Sequence, residues 1–400
     1  MQRRSTARRA LPALFLSLLA ILGGGLPSSA QEELRPEFDE PVMSNEAERV
    51  VAGALRWLKD QQNRDGSWSA RIGFKINDGY RLEPQGQGAE GLPHLGVTSL
   101  AAMAMLSGGH TPGHGPYGQV VEDALRFVIS KVSENGFITA NGTRMYSHAL
   151  SLLFLAEVYG MTGQPQLRAC LDRAVEFTHR SQNQTGGWRY APLARDSDMS
   201  ITVCQVVALR EARNIGIRVP KATIDSALKY VMESAVTRDD ERGSFLYQHQ
   251  DVPFNRNSFA LTAAGLTTIY QAGLYSDRDI DAYCDAHGIE VRPRIKQCLA
   301  YLWRWYRPLF NDYSNHYFYY YGNYYAAQAM YTRGGEDWRR WYAMVSEDLL
   351  RTVNKGRPRE GQGAEERFFW RDNNVGETFA TAIASIILQV PNHYLPIFQR

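Results

Sequence analysis

A short phrase of small residue, aliphatic, any residue and aromatic recurs five times along this chain. It reads Ala54-Leu55-Arg56-Trp57, Ala124-Leu125-Arg126-Phe127, Ala174-Val175-Glu176-Phe177, Ala227-Leu228-Lys229-Tyr230 and Cys298-Leu299-Ala300-Tyr301. Successive copies start 70, 50, 53 and 71 residues apart, the uneven period of a helix-pair repeat that carries loop insertions. Around each phrase, apolar residues step by three and four, as in Val50, Val51, Ala54, Leu55 and Leu58, with charges between them; this predicts a helix packed on one side only. Between these lie segments apolar nearly all round: Gly96 to Leu106, His148 to Val158, Ile201 to Ala212, Ser258 to Tyr270 and Glu377 to Val390. A helix without a polar face must be buried on every side, so these are inner helices and the phrase-bearing ones outer. Residues 317–331 supply the remaining inner helix, and 336–353 a sixth outer helix that has lost the aromatic phrase. Six outer–inner pairs predict an all-α fold, an (α/α)6 toroid of six helical hairpins. An open superhelix is the alternative, because periodicity does not encode closure.

The chain has 400 residues, 44% of them hydrophobic, with 44 Lys plus Arg against 42 Asp plus Glu, which excludes a disordered or low-complexity chain. Arg3, Arg4, Arg8 and Arg9 precede the apolar run Leu11 to Leu22, and Ser28-Ser29-Ala30 precedes Gln31, the layout of a secretory signal. The expected organisation is a signal peptide at 1–30, a flexible N-terminal segment at 31–44 and the toroid at 45–400. Export to the periplasm or beyond the bacterial cell follows, with no membrane span after signal cleavage. Without the signal's arginines the balance is close to neutral, so nucleic acid is not an expected partner. Cys170, Cys204, Cys284 and Cys298 form neither a CxxC nor a zinc-ligand spacing, and Cys170, Cys204 and Cys298 sit inside apolar helical patterns as small buried hydrophobes. His110 and His114 share a Gly-rich loop with no third ligand in view; no metal and no cofactor are expected.

Two outer helices end in a longer signature: aromatic, four residues, Gln, three residues, Gly, one residue, Trp. The copies are Trp57 with Gln62, Gly66 and Trp68, and Phe177 with Gln182, Gly186 and Trp188. Gly is expected to end the helix at positive φ, Trp to pack back on the helix, and Gln to bond the freed backbone. Weaker copies are Gly136-Phe137 and Gly243-Ser244-Phe245. The signature resembles the Gln-Trp repeat of the prenyltransferase and squalene oxidase repeat family, which includes squalene cyclases and protein prenyltransferase β subunits. The chain is most similar to its exported single-domain members of planctomycete type. The resemblance covers nearly the whole mature chain and implies a terpenoid-cyclase-like toroid around a central cavity for isoprenoids.

Class II cyclases of this family protonate an alkene with the central Asp of Asp-x-Asp-Asp. The corresponding stretch here is Asp196-Ser197-Asp198-Met199, in which Asp196 and Asp198 match the first and central acids and Met199 replaces the last. The resemblance therefore marks Asp198 and Asp196 as catalytic candidates, while the residues alone also make Asp198 an N-cap for the helix from Ser200. The prenyltransferase zinc site needs Asp-x-Cys, which this sequence lacks. Eleven of the 22 tyrosines fall between Tyr301 and Tyr342, and Tyr317, Tyr321, Tyr324 and Gln328 share one helical face. With His148 they are the expected cavity-lining or substrate-binding residues. Three functions follow. The favoured one is an exported squalene-cyclase-like repeat protein that binds a ligand or protein partner through its cavity or rim. The alternatives are a class II isoprenoid cyclase using Asp198 as proton donor, and an envelope polysaccharide lyase or hydrolase. The ligand classes left open are isoprenoid, lipid and carbohydrate.

Overall fold

The computed structural model describes residues 40–70, 74–76, 79–81, 91–249, 255–309, 318–358, 363–372 and 375–398. The signal segment and Tyr317 lie outside the described residues. Six outer helices, α1 (Asn45–Gln61), α3 (Gly118–Ile129), α5 (Arg168–Ser181), α7 (Lys221–Glu233), α10 (Ile295–Trp305) and α12 (Gly335–Thr352), alternate with six inner ones. The inner helices are α2 (Leu95–Leu106), α4 (Met145–Thr162), α6 (Met199–Asn214), α8 (Phe259–Gln271), α11 (Tyr319–Arg333) and α13 (Glu377–Gln389). The all-apolar segments are thus the inner wall, as their lack of a polar face requires.

Each inner helix packs on the next, and α13 packs on α2, so the wall closes on itself. Closure is held by side chains from the two ends of the ring. Gln389 of α13 donates to the Ala104 carbonyl of α2 at 3.0 Å. A short strand β6 (Arg367–Phe369), paired with β5 (Asn354–Gly356), lies against α1, where Arg367 forms a buried ion pair with Asp60 at 2.8 Å. The predicted toroid, and not its open-superhelix alternative, is therefore the observed fold. An additional helix, α9 (Asp277–His287), occupies part of the 71-residue spacing; Ser276 and Asp279 cap it reciprocally, the capping-box arrangement.

The Gln-Trp signature is the joint between outer and inner helices. The Trp68 indole donates to the Leu58 carbonyl at 2.7 Å, and its backbone N–H donates to Thr98 Oγ1 on α2. Trp188 repeats this with Thr178 and with Thr202 on α6. Gln62 and Gln182 each donate to two carbonyls, that of Gly66 or Gly186 and that of Val120 or Thr223 in the next outer helix. One expectation is corrected: α1 and α5 end before the glutamines, and the glycines serve a turn further on. Gly66 and Gly186 have φ of +88° and +89°, and a Cβ at either would lie 2.2 Å from a carbonyl oxygen of the neighbouring outer helix. A third Trp joint, without the Gln and the Gly, was not visible in the sequence: the Trp370 indole donates to Leu349, and its N–H to Thr381 on α13. Each of these tryptophans is at most 1% exposed, so truncation to Ala would cost about 3–5 kcal/mol.

The second joint differs in kind. Ile138 stands where the other copies have Trp or Phe, and its N–H donates to His148 Nδ1 at 3.2 Å. His148 thus takes the place of Thr98 and Thr202, four residues past its helix's N-cap, and its Nε2 meets Thr178 Oγ1 of α5 at 2.8 Å. The ring also packs on Phe137 and Phe177. His148 is therefore a joint residue between wall and outer layer, not a cavity residue, and burial pulls its pKa down to about 3.

Candidate functional site

In a ring built by alternation all inner helices run the same way, so their N-termini gather at one mouth. Asp198 caps α6, as Ser258 caps α8 and His94 caps α2. Asp198 is fully buried; its Oδ1 accepts from the Ile201 N–H at 2.9 Å and from the Ser200 hydroxyl at 2.5 Å. The N-cap expectation thus describes one oxygen of this carboxylate. Its other oxygen faces Arg189, whose Nε stands 3.7 Å away. The same guanidinium reaches Asp196 Oδ2 at 3.2 Å, so one arginine joins both candidate acids. Burial opposes the Arg189 charge, but Asp198, Tyr247, Asp196 and Tyr190 outweigh it and raise the pKa.

The connection that carries these groups is held on both sides. The Asp198 N–H donates to the Trp188 carbonyl, the Met199 N–H to that of Tyr247, and Asn183 Nδ2 to that of Asp196. Asp196 keeps a side chain 47% exposed and also accepts from Gln248 at 3.2 Å. It is the carboxylate a solute can reach; Asp198 lies behind it.

Tyrosines floor the mouth. Arg189 lies over the rings of Tyr190 and Tyr247, whose hydroxyls bond each other, and Arg256 covers Tyr247 at 4.7 Å. Tyr146 donates to the Ser200 hydroxyl and Tyr321 to the Ser200 carbonyl. Tyr146 on α4 and Tyr321 on α11 come from opposite sides of the wall, and their ring centroids are 6.4 Å apart. Aromatic rings therefore meet on the axis itself. Below them, Tyr325 of α11 reaches Cys204 Sγ of α6 at 2.9 Å, and Tyr324 and Gln328 are 5% and 2% exposed.

This corrects the central-cavity expectation for Tyr324 and Gln328: both sit in packed interior. Among the described residues of the expected aromatic face, Tyr321 reaches the mouth, where it is half-buried. Burial raises the Cys204 thiol to about 12, which leaves it a neutral packing group. Among the described residues no group of three His, Cys, Asp or Glu gathers as for a metal. Arg189, Tyr190 and Tyr247 were missed in the sequence. Arg189 and Tyr190 directly follow the joint Trp188, and that adjacency was the available signal.

Comparison with solved structures gives whole-chain likenesses. An α-1,6-mannanase of Salegentibacter sp. HEL1_6, an inactive variant with two consecutive aspartates replaced and in complex with α-1,6-mannotetrose, matches with TM-score 0.56 and 10% identity, covering 86% of this chain and 98% of that one. The likeness establishes an (α/α)6 toroid. A glycoside hydrolase family 76 mannosidase of Bacteroides thetaiotaomicron VPI-5482 gives 0.55 and 12% identity over 88% and 99%. A sugar epimerase from a ruminal bacterium gives 0.55 and 12% over 87% and 98%. No family profile and no curated protein matches the chain. No helix among the described residues is long and apolar enough to cross a membrane.

Proposed function

We propose that this chain is a carbohydrate-active toroid whose mouth binds a glycan, with Asp196 as the acid–base group of a glycoside hydrolase. The observation that carries this reading is the trio Asp196–Arg189–Asp198 set among half-buried tyrosines at the N-terminal ends of the inner helices. Tyrosine rings offer flat apolar surface for the hydrophobic faces of a pyranose, and their hydroxyls, with Arg189, offer partners for its hydroxyl groups. Hydrolysis breaks the bond between the anomeric carbon and the glycosidic oxygen, which needs a proton for the leaving oxygen and a base for water. Asp196 is the exposed carboxylate for the first of these roles, the proton to the leaving oxygen, and Asp198 holds Arg189, which in turn positions Asp196. The solved neighbours, a mannanase, a mannosidase and a sugar epimerase, support a carbohydrate ligand while leaving the reaction to the site.

The isoprenoid reading of the Gln-Trp signature fits this geometry less well. It needs Asp198 to hand a proton into an apolar chamber, whereas Oδ1 accepts two hydrogen bonds and tyrosines fill the axis beyond it. Gln and Trp here do the work of a helix joint, which any toroid can use. An export signal at 1–30 would deliver the enzyme to envelope or environmental glycans. The test is product release from a glycan panel that includes α-1,6-linked mannan, read as new reducing ends. Wild type should release oligosaccharide and Asp196→Asn should lose nearly all turnover with its melting temperature unchanged; a folded wild type that releases nothing from any glycan refutes hydrolysis.

A further inference from the structure

One tyrosine ring at the mouth carries two guanidinium groups, and only one of them faces an acid. Arg189 and Arg256 lie 5.7 and 4.7 Å from the Tyr247 ring centroid. The charge of Arg189 is met by Asp196 at 3.2 Å and Asp198 at 3.7 Å. Arg256 is exposed, and among the described residues its guanidinium forms no ion pair and no hydrogen bond. The backbone beneath it is pinned. The Tyr247 N–H donates to the Arg256 carbonyl at 2.7 Å, Leu246 and Asn257 form an isolated antiparallel bridge, and the Gln248 N–H donates to Asn255 Oδ1 at 3.1 Å. The Tyr247 ring is fixed in turn through its hydroxyl, which bonds that of Tyr190. Arg256 is therefore a cation held on an aromatic face with its N–H donors unengaged.

The imbalance extends beyond this residue. Arg195 is exposed and directly precedes Asp196; Arg144 is the N-cap residue of α4, next to Met145, whose N–H donates to the Tyr190 carbonyl. Along the described residues of the segments that build this side of the mouth, 144–146, 189–200 and 247–258, Arg144, Arg189, Arg195 and Arg256 stand against Asp196 and Asp198. Glu233, at the end of α7, is turned to His249 at 3.3 Å. The hydroxyl groups of a neutral sugar can be met by Arg189, Gln248 and the tyrosine hydroxyls. What the unpaired, planar guanidinium of Arg256 adds is a two-pronged match for the oxygens of a carboxylate or sulfate. Because that side chain is already stacked, it loses little freedom on binding.

We propose that the mouth selects an acidic glycan, with Arg256 as the specificity-determining residue that receives a sugar-borne carboxylate or sulfate. The inference rests on the glycan reading of the mouth and names its substrate class.

Calorimetric titration of the folded protein with an oligogalacturonate, a sulfated carrageenan oligosaccharide and neutral α-1,6-mannotetraose tests it and separates carboxylate from sulfate. At least one acidic probe should bind about tenfold or more tighter than the neutral one. Arg256→Gln should weaken that probe by about tenfold and shift the neutral one by less than about twofold. Mannotetraose bound as tightly as both acidic probes refutes the inference and leaves the glycan reading intact, whereas binding of none of the three counts against both. An acidic preference undiminished in Arg256→Gln overturns the role of Arg256. Should that variant fail to fold, Arg256→Lys, which keeps the charge without the fork, decides: a reduced preference supports the inference and an unchanged one refutes it.

Discussion

The two ends of the ring treat buried carboxylates in opposite ways. At the mouth, Asp198 is buried but served: a helix amide and a serine hydroxyl meet one oxygen, and Arg189 faces the other. At the far end, Glu157 of α4 and Glu211 of α6 are equally buried, yet less well served: the Ile397 backbone acts on Glu157, and Asn214 at 3.2 Å and the Arg210 charge act on Glu211. Helix polarity explains part of the contrast. An N-terminus supplies free N–H groups and a positive field, while a C-terminus supplies only carbonyls. A fixed anion is at home at the mouth, whereas at the far end burial favours the neutral, protonated acid.

That contrast is broken most forcefully at Arg189. Arg189→Ala leaves the buried Asp198 without its counter-charge, and urea unfolding should show a loss of about 3–5 kcal/mol. Next in size is the acid limb of stability. His148 is held neutral with its pKa at about 3, so unfolding takes up a proton wherever the pH is below 6.5, and stability falls as pH drops from there. The loss should be on the order of 3 kcal/mol by pH 4, and His148→Thr should flatten that limb in pH-dependent melts.

Glu211 gives the opposite sign. Its pKa rises from 4.5 to about 7, so the folded chain keeps a proton that the unfolded chain gives up. Stability should therefore fall as pH rises from about 4.5 to about 7, and Glu211→Gln should remove a fall of roughly 1–3 kcal/mol. Smallest is Asp196→Asn, half-exposed and outside the cap, expected within about 0.5 kcal/mol of wild type in stability while turnover collapses.

The inner and outer helices were legible because burial on one side or on all sides writes itself into apolar periodicity. The joints were legible where Gln, Gly and Trp kept their spacing, at Trp68 and Trp188. Trp370 escaped because the stretch around β5 and β6 intervenes between it and α12. Closure was expected from the count of six helix pairs, but the contacts that make it were not legible: Gln389 meets Ala104 across 285 residues, and no local pattern records such a contact. The Asp196–Asp198 pair was found through a family pattern, whereas Arg189, which links the two, belongs to none. Glu157 and Glu211 stood in plain view as single acids in otherwise apolar inner segments. A charge inside an all-buried helix is itself a signal.

The most direct test of the glycan-binding mouth is hydrogen exchange of the folded protein with and without oligosaccharides, α-1,6-mannotetraose among them. Protection is expected in the segment from Arg189 to Ser200, at Tyr247 and at the start of α11, with no change around Glu157, Glu211 or the C-terminal turn. Protection confined to the far end, or none with any glycan, would contradict a carbohydrate site at the mouth.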